Sequence, residues 1–391
     1  PISWVTHLVF DDIFFCMGNS GIARYWSSVM SEWQSMATQR GVRVSVISRT
    51  GKFDDFGFET IPFPGTDWSD PFHALDRELV QRVLDDVGAD VYVPSYSRFA
   101  LRTPTVNVVY DLIPEVFRFD TDDSQWLERK LALTTSDRFV AISRNTANDF
   151  AKYYPGVTGM HHEIAYPAVD RNVFRRKSRT EVDSFRQEFG IQGDYIVVPG
   201  TRYGANHYKN GGRLFREVGA RMLTDIHVVV TGGEALRPEE ISACQSARVS
   251  LTRVDLNDIE LATAYSGAVA TVYPSHYEGF GLPALESLAC GTPVITNAGS
   301  SFPETVGPLG VFFDNDRLGD IATQVKLARD PGRVAGIKKE GPAWARKFSW
   351  RASAEIILNA AVESADEGIT RTPEVQSMLA DYHEQSLGRQ S

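Results

Sequence analysis

Two carboxylates, two cations and a handful of glycine-bearing loops are the groups in this sequence whose types and spacing could do chemistry. Glu278 and Glu286 stand eight residues apart in Tyr277-Glu278-Gly279-Phe280-Gly281-Leu282-Pro283-Ala284-Leu285-Glu286, which continues to Cys290-Gly291-Thr292-Pro293-Val294-Ile295. The run reads as glycine loop, helix, turn and strand, with a strand ending at Tyr273-Pro274-Ser275 before it. Pro283 suits a first helical position. Backbone N–H groups at a helix start are free to bind hydroxyls or anions, so both carboxylates can point toward one ligand lying across it.

The cations come earlier. Gly200-Thr201-Arg202 leaves an apolar strand and Lys209-Asn210 opens the next helix. Arginine grips phosphate oxygens through two nitrogens while lysine acts as a point charge. Fixed cations of this kind stabilise the growing charge of a departing diphosphate without a metal. Asn297-Ala298-Gly299-Ser300-Ser301-Phe302-Pro303-Glu304 follows another strand. The small side chains and amides of Gly299, Ser300 and Ser301 suit a phosphate cradle, although alone the segment is an ordinary polar turn.

The elements that must hold these groups alternate almost throughout. Strands are predicted at 5–10, 42–47, 90–93, 105–109 and 138–142, and a second series at 195–198, 226–230, 269–273 and 293–296. Helical patterns lie between most of them, including 22–40, 71–87, 143–152 and 282–289. This alternation implies α/β units with parallel sheets, whose ligands sit at the carboxyl ends of the strands. The pattern breaks between Tyr154 and Asp194, which places a linker near 167–180 and divides the chain into two doubly wound halves.

Composition bounds the rest. A length of 391 residues favours two domains. A formal net charge of −10 argues against a general nucleic-acid binder. Cys16, Cys244 and Cys290 show no metal or disulfide spacing, which favours a reducing compartment. No run reaches the roughly 18 apolar residues of a membrane span. The expectation is a cytoplasmic protein with at most peripheral contact at the inner membrane face. Trp26, Met30, Trp33 and Met36 fall on the first long helix and read first as core packing.

The Glu278-to-Glu286 segment resembles the donor-site signature of glycosyltransferase family 4. That resemblance implies a GT-B fold: two Rossmann-like doubly wound domains facing a central cleft, with a C-terminal helix crossing back to the first. The implied boundaries are 1–170 for an acceptor domain, 171–350 for a nucleotide-sugar domain, and 351–391 for the returning helix and tail. It further implies a nucleotide-sugar donor, retention of configuration, and neither cofactor nor metal. Glu278, Arg202 and Lys209 become the catalytic residues. Glu278 would hold the donor sugar with the amides of Phe280, Gly281 and Leu282, while Glu286 accepts the ribose hydroxyls. Gly299, Ser300 and Ser301 would receive the diphosphate. The loop 203–208 is longer than is usual in the family and lacks the arginine that often stands beside the lysine.

The resemblance extends into the first half. Cys16-Met17-Gly18-Asn19-Ser20-Gly21-Ile22-Ala23-Arg24-Tyr25 is similar to a family loop that brings Gly18 and Gly21 toward the donor phosphates or the acceptor. Val109-Tyr110-Asp111-Leu112-Ile113-Pro114-Glu115 resembles a cleft element with Tyr110 in place of a common histidine. Tyr110 could still contact a sugar, and Asp111 is either a cleft residue or a turn former. Ala141-Ile142-Ser143-Arg144 and Phe348-Ser349-Trp350 complete the likeness, with Ser143 a helix cap.

The implied reaction moves a hexose, with GDP-mannose the first choice of donor, to a glycan or lipid-linked saccharide. Three rivals are weighed against it. Asp120/Asp122 and Asp314/Asp316 have the Asp-x-Asp form of a metal-dependent transferase, but such pairs are expected by chance at this aspartate content. An NAD-dependent oxidoreductase would share the topology, yet Arg24 stands where the third small residue of its glycine fingerprint belongs. A nucleotide-sugar-binding protein without turnover would keep the fold and Glu286 alone.

Overall fold

Short runs of Val, Ile and Tyr bounded by glycines and prolines fold here into parallel strands, the central ones buried on both faces. The computed structural model describes residues 6–18, 20–66, 73–119 and 124–388. Val5, Asn19, Pro71, Asp120 and Asp122, all named in the sequence reading, lie outside the described residues. The chain divides into two compact units, residues 1–167 with 350–391, and residues 168–349.

In the first unit β1 (Thr6–Asp11), β2 (Val42–Ser48), β3 (Glu59–Pro62) and β4 (Val91–Pro94) form a sheet in the order β3-β2-β1-β4. Next, β5 (Val106–Val109) and β6 (Arg138–Ala141) pair in parallel, and a bridge between Tyr92 and Thr105 carries the pairing on from β4. The second unit holds β7 (Tyr195–Pro199), β8 (His227–Thr231), β9 (Ser250–Val254), β10 (Ala270–Tyr273), β11 (Val294–Thr296) and β12 (Val311–Phe312). Their order is β12-β11-β10-β7-β8-β9, all parallel. Each unit therefore repeats the doubly wound Rossmann topology, although the two halves share no visible sequence repeat. In such a sheet the connections leave in opposite directions from two adjacent strands, and a crevice opens at their carboxyl ends. In the second unit those strands are β7 and β10.

Helix faces explain the packing. Ser20 caps the helix Gly21–Gln39 by accepting the Ile22 N–H at 3.3 Å. Residues at helical spacing then turn inward, and Trp26, Met30, Trp33 and Met36 are all buried in the first unit's core. Burial of each such side chain stabilises by roughly 1.5–3 kcal/mol. Trp33 Nε1 donates to the Ala354 carbonyl at 2.9 Å, and the Tyr25 ring meets Trp350 edge-on. These contacts seat the helix Trp350–Glu367 on the first unit. Beyond it Arg371 donates to the Ala100 carbonyl at 2.8 Å, and the tail ends in the helix Pro373–Gly388. Among the described residues no helix is long and apolar enough to cross a membrane.

Candidate active site

The crevice of the second sheet is built from three strand-to-helix loops. The first leaves β7 at Gly200, whose φ of +72° turns the chain, and runs to the helix Gly211–Gly219. The second leaves β10 at Pro274 and ends at Gly281, which caps the helix Leu282–Ala289. Gly281 has a φ of +87°, and a Cβ there would lie 3.2 Å from the Phe302 ring, so a side chain would be strained in its backbone and crowded by the ring. The third leaves β11 at Asn297 and enters the helix Phe302–Val306.

These loops are sewn together. His276 donates its N–H to the Tyr208 carbonyl at 2.8 Å, and Asn210 Nδ2 donates to the Pro274 carbonyl at 3.1 Å. Ser300 Oγ accepts the Glu278 N–H at 2.9 Å and donates to the Glu278 carbonyl at 2.6 Å. Ser301 Oγ donates to that same carbonyl at 2.9 Å. The main chain of Glu278 is thus clamped by two hydroxyls from the neighbouring loop. Its carboxylate accepts a hydrogen bond from Lys209 Nζ at 2.7 Å.

Lys209 and Glu278 are both largely buried, with side-chain exposures of 14% and 10%. Burial acts to lower the Lys209 pKa, but the Glu278 carboxylate and the rings of Tyr273 and Tyr208 outweigh it, and the net shift is upward. The ammonium therefore stays charged across the working pH range. Burial, and then the Glu278 carboxylate, hold the Tyr273 phenol well above its usual range. An ammonium with three donors can hold a carboxylate and a phosphate oxygen together.

Arg202 does not join this group. Its Nε and Nη2 contact the Glu240 carboxylate at 2.6 and 3.1 Å, and Nη2 also donates to the carbonyls of Glu234 and Ala235. The remaining nitrogen, Nη1, is buried without an acceptor. The fork expected to grip a diphosphate is consumed by an internal ion pair, because Glu240 on the helix Pro238–Ala247 reaches it first. Glu234, beside it, accepts the N–H groups of Arg202 and Tyr203 and so shapes the loop.

The other expected residues divide similarly. Glu286 is buried in the second turn of its helix, where its charge helps burial push the Cys290 thiol up to about 12. Phe280 packs its ring on Phe348, and its carbonyl accepts from Thr305. Leu282 is the first residue of the helix, as the pattern at 282–289 predicts, with Pro283 in its first turn. The Gly299 amide is not available for a phosphate, since it donates to Asn297 Oδ1 at 2.6 Å. Asp314 and Asp316 form a local turn, with the Asp316 N–H on Asp314 Oδ1.

In the first unit, Gly18 has a φ of +133° and Gly21 begins a helix with open space where a Cβ would stand. Tyr110 is a correction. Its hydroxyl donates to the Ser95 carbonyl at 2.7 Å and accepts from Trp26 Nε1, and its ring stacks on Tyr96. Its proton and one lone pair are thus engaged inside the core, where the residue is buried. Asp111 serves the turn, accepting the Ile113 N–H at 3.1 Å.

Fold and site together describe a doubly wound α/β protein with a charged pair at its switch-point crevice, and comparison with known proteins agrees. Residues 186–330 match the family model for glycosyl transferases group 1. A D-inositol 3-phosphate glycosyltransferase of Rhodococcus opacus is 28% identical over 240 residues, 57% of this chain and 52% of its own length. The O-antigen chain mannosyltransferase B of Escherichia coli is 38% identical over 105 residues, 26% of this chain and 27% of its own. The chain thus spans about half the length, or less, of these relatives. Among solved structures, the Anabaena protein HepE in complex with UDP and glucose superposes with a TM-score of 0.69 at 16% identity, covering 92% of this chain and 100% of that one. Residues 186–330 of the second unit thus match the glycosyl transferases group 1 model, and the likeness to solved structures shows the GT-B fold of two Rossmann-like units.

Proposed function

We propose that this protein is a retaining glycosyltransferase that moves a hexose from a nucleoside diphosphate sugar to a hydroxyl of a glycan or lipid-linked saccharide. The observation that carries the reading is the Lys209–Glu278 pair at the carboxyl ends of β7 and β10. A carboxylate clamped by two serine hydroxyls suits the hydroxyls of a sugar. The charged Lys209 beside it suits the diphosphate leaving from that sugar.

In the proposed reaction the bond between the sugar's C1 and the diphosphate oxygen breaks, and its electron pair leaves with the nucleoside diphosphate. The acceptor oxygen bonds to C1 on the face just vacated, and its proton passes to a departing phosphate oxygen. Lys209 balances the charge of the leaving group. Glu278 orients the sugar through its hydroxyls, and Glu286 receives the ribose. Arg202 has no part in this scheme beyond holding the loop. The scheme uses no metal or cofactor and assigns Lys209 as the cation for the phosphate.

A guanosine diphosphate donor carrying mannose is the first choice, because one relative is an O-antigen mannosyltransferase. Thermal unfolding with GDP, UDP and dTDP, each with and without EDTA, tests the reading. A nucleotide at 100 times its Kd stabilises by about 2.7 kcal/mol. An EDTA-insensitive shift with one base supports the site and names the donor class. A response to NAD alone, or only with added metal, would overturn it. Retention is then read from the anomeric proton coupling of the product.

A further inference from the structure

At the other end of the second sheet a cavity of about 660 Å³ opens at the amino ends of β7, β10 and β11, where Asp194, Val269 and Pro293 form part of its wall. One strand of five residues, about 16 Å at ~3.3 Å per residue, separates it from the loops that carry Lys209 and Glu278. Six lysines and arginines line it against two aspartates, in a chain whose net charge is −10.

Most of the obvious neutralisation is local to the rim. Arg179 lies 3.7 Å from Asp183, and Arg329 lies 3.0 Å from Asp194. Arg186 donates to the Gly193 carbonyl. Arg176, Lys177 and Lys338 remain, and among the described residues their side chains make no ion pair and no hydrogen bond; Arg176 and Lys338 are exposed and Lys177 is buried. Lys177 is 8% exposed, and its backbone N–H is fixed on Ser266 Oγ at 3.0 Å, so its stem is held while its ammonium reaches the cavity's solvent. Gly291 brings the other two together: a Cβ there would lie 3.1 Å from Lys338 Cα and 3.6 Å from Arg176 Nη1.

Although both side chains are exposed, partial desolvation lowers the pKa of Arg176 and Lys338, and for Lys338 the nearby Arg176 adds to the effect. Three helices end around this cavity, Asp258–Gly267, Leu282–Ala289 and Asp320–Leu327, and their carboxyl ends favour cations. Among the described residues the three side chains donate to none of those carbonyls, and the surplus of cations in the lining must outweigh the helix ends for an anion to bind.

We propose that this cavity binds a phosphate-bearing anion as a second ligand site, separate from the one that holds Lys209 and Glu278. Its volume far exceeds the roughly 30 Å³ share of one water. It falls within the ~300–1,000 Å³ of small-molecule sites, so the occupant is a phosphorylated molecule rather than a lone ion. Arg176 supplies the fork for phosphate oxygens, and Lys177 and Lys338 supply point charges. The phosphate belongs to a soluble ester or to a lipid headgroup, and the two sources share this chemistry.

Calorimetric titration with inorganic pyrophosphate tests the site, run on the unaltered protein, on Lys209→Ala and on the double variant Arg176→Gln/Lys338→Gln. Lys209→Ala removes the cation of the first site and should still bind. The double variant should lose at least about tenfold in affinity, since each charge-assisted hydrogen bond contributes that much or more. A parallel sedimentation with phosphatidylcholine vesicles, with and without phosphatidylglycerol, assigns the phosphate to a headgroup if only vesicle binding shows the same dependence. Unchanged binding of both probes by the double variant overturns the proposal. The ligand-free melting temperature is the second readout. Relief of unpaired like charges should hold or raise it, whereas a clear fall would make the cations structural and sink the idea.

Discussion

Lys209 and Glu278 meet through a 2.7 Å hydrogen bond although 69 residues separate them, because the two central strands of the second sheet deliver their loops to one crevice. Each is the other's only ionic partner among the described residues. Loss of one therefore leaves a nearly buried charge unmatched.

Lys209→Ala should lower kcat by about 10²–10³, the usual effect of removing one group that stabilises transition-state charge. It should also cost up to about 3 kcal/mol of stability, the low end for breaking a buried pair. Lys209→Ala combined with Glu278→Gln should recover most of that stability and none of the turnover. Urea unfolding and initial rates on the same samples separate the two effects. A single variant with normal turnover would remove Lys209 from the mechanism.

Arg202→Ala should behave differently. It strands the buried Glu240 carboxylate and removes donors from two carbonyls, at a cost of about 3–5 kcal/mol. Glu240→Ala should destabilise similarly, since it strands the guanidinium in turn. Nucleotide affinity of the folded protein should change little. An Arg202→Ala protein of normal stability with no turnover would return this residue to the diphosphate.

Tyr110→Phe should cost about 1 kcal/mol, because Trp26 Nε1 still donates to the Ser95 carbonyl at 2.9 Å after the hydroxyl is gone. KM for the acceptor should not move. An acceptor KM raised severalfold, with stability intact, would place the hydroxyl on a sugar after all.

Asp12 gives the first unit a pH dependence of its own. Burial raises its carboxyl to about 6, against hydrogen bonds from the Arg49 N–H and the Thr50 hydroxyl that favour the charged form. The unfolded carboxyl titrates near ~3.9. Between about pH 4 and 6 the folded state therefore holds more protons, and stability falls as pH rises through that window, by up to about 3 kcal/mol. Asp12→Asn should flatten this part of the profile. Urea midpoints from pH 4 to 7.5 for both proteins check it, and identical slopes would argue against the assignment.

Much of the fold was legible because the central strands are buried on both faces and so read as plain apolar runs. Tyr195, Ile196, Val197 and Val198 are nearly inaccessible, and the nine strands expected from such runs are all present. The three unforeseen ones have no such signature. β3 is partly exposed and polar at its ends, β9 is an edge strand of mixed character, and β12 has two residues.

That Glu278 and Lys209 come together was legible from the loops they occupy, since strand ends fix where loops gather. Side-chain direction was not. Nothing in Gly200-Thr201-Arg202 reveals that Glu240, on a helix 38 residues later, turns the guanidinium inward. Glu234 went unnoticed, although Gly232-Gly233-Glu234 follows β8 at the same end of the sheet as the other loops. Tyr110 was misread for a similar reason, as its partners Ser95 and Trp26 come from other elements.

The first unit is assembled from both ends of the described chain, with the helix Trp350–Glu367 closing over the side chains of Gly21–Gln39. A ribosome delivers those pieces roughly 180 residues apart. At ~5–20 residues per second, Trp33 waits on the order of 16 to 64 s for Ala354, which lies 321 residues later. During that interval the continuous second unit emerges whole and can fold, while the first keeps an aromatic surface uncovered. Synthesis order thus runs against sequence order: the part begun first is finished last, and its exposed rings are where a chaperone would find the nascent protein.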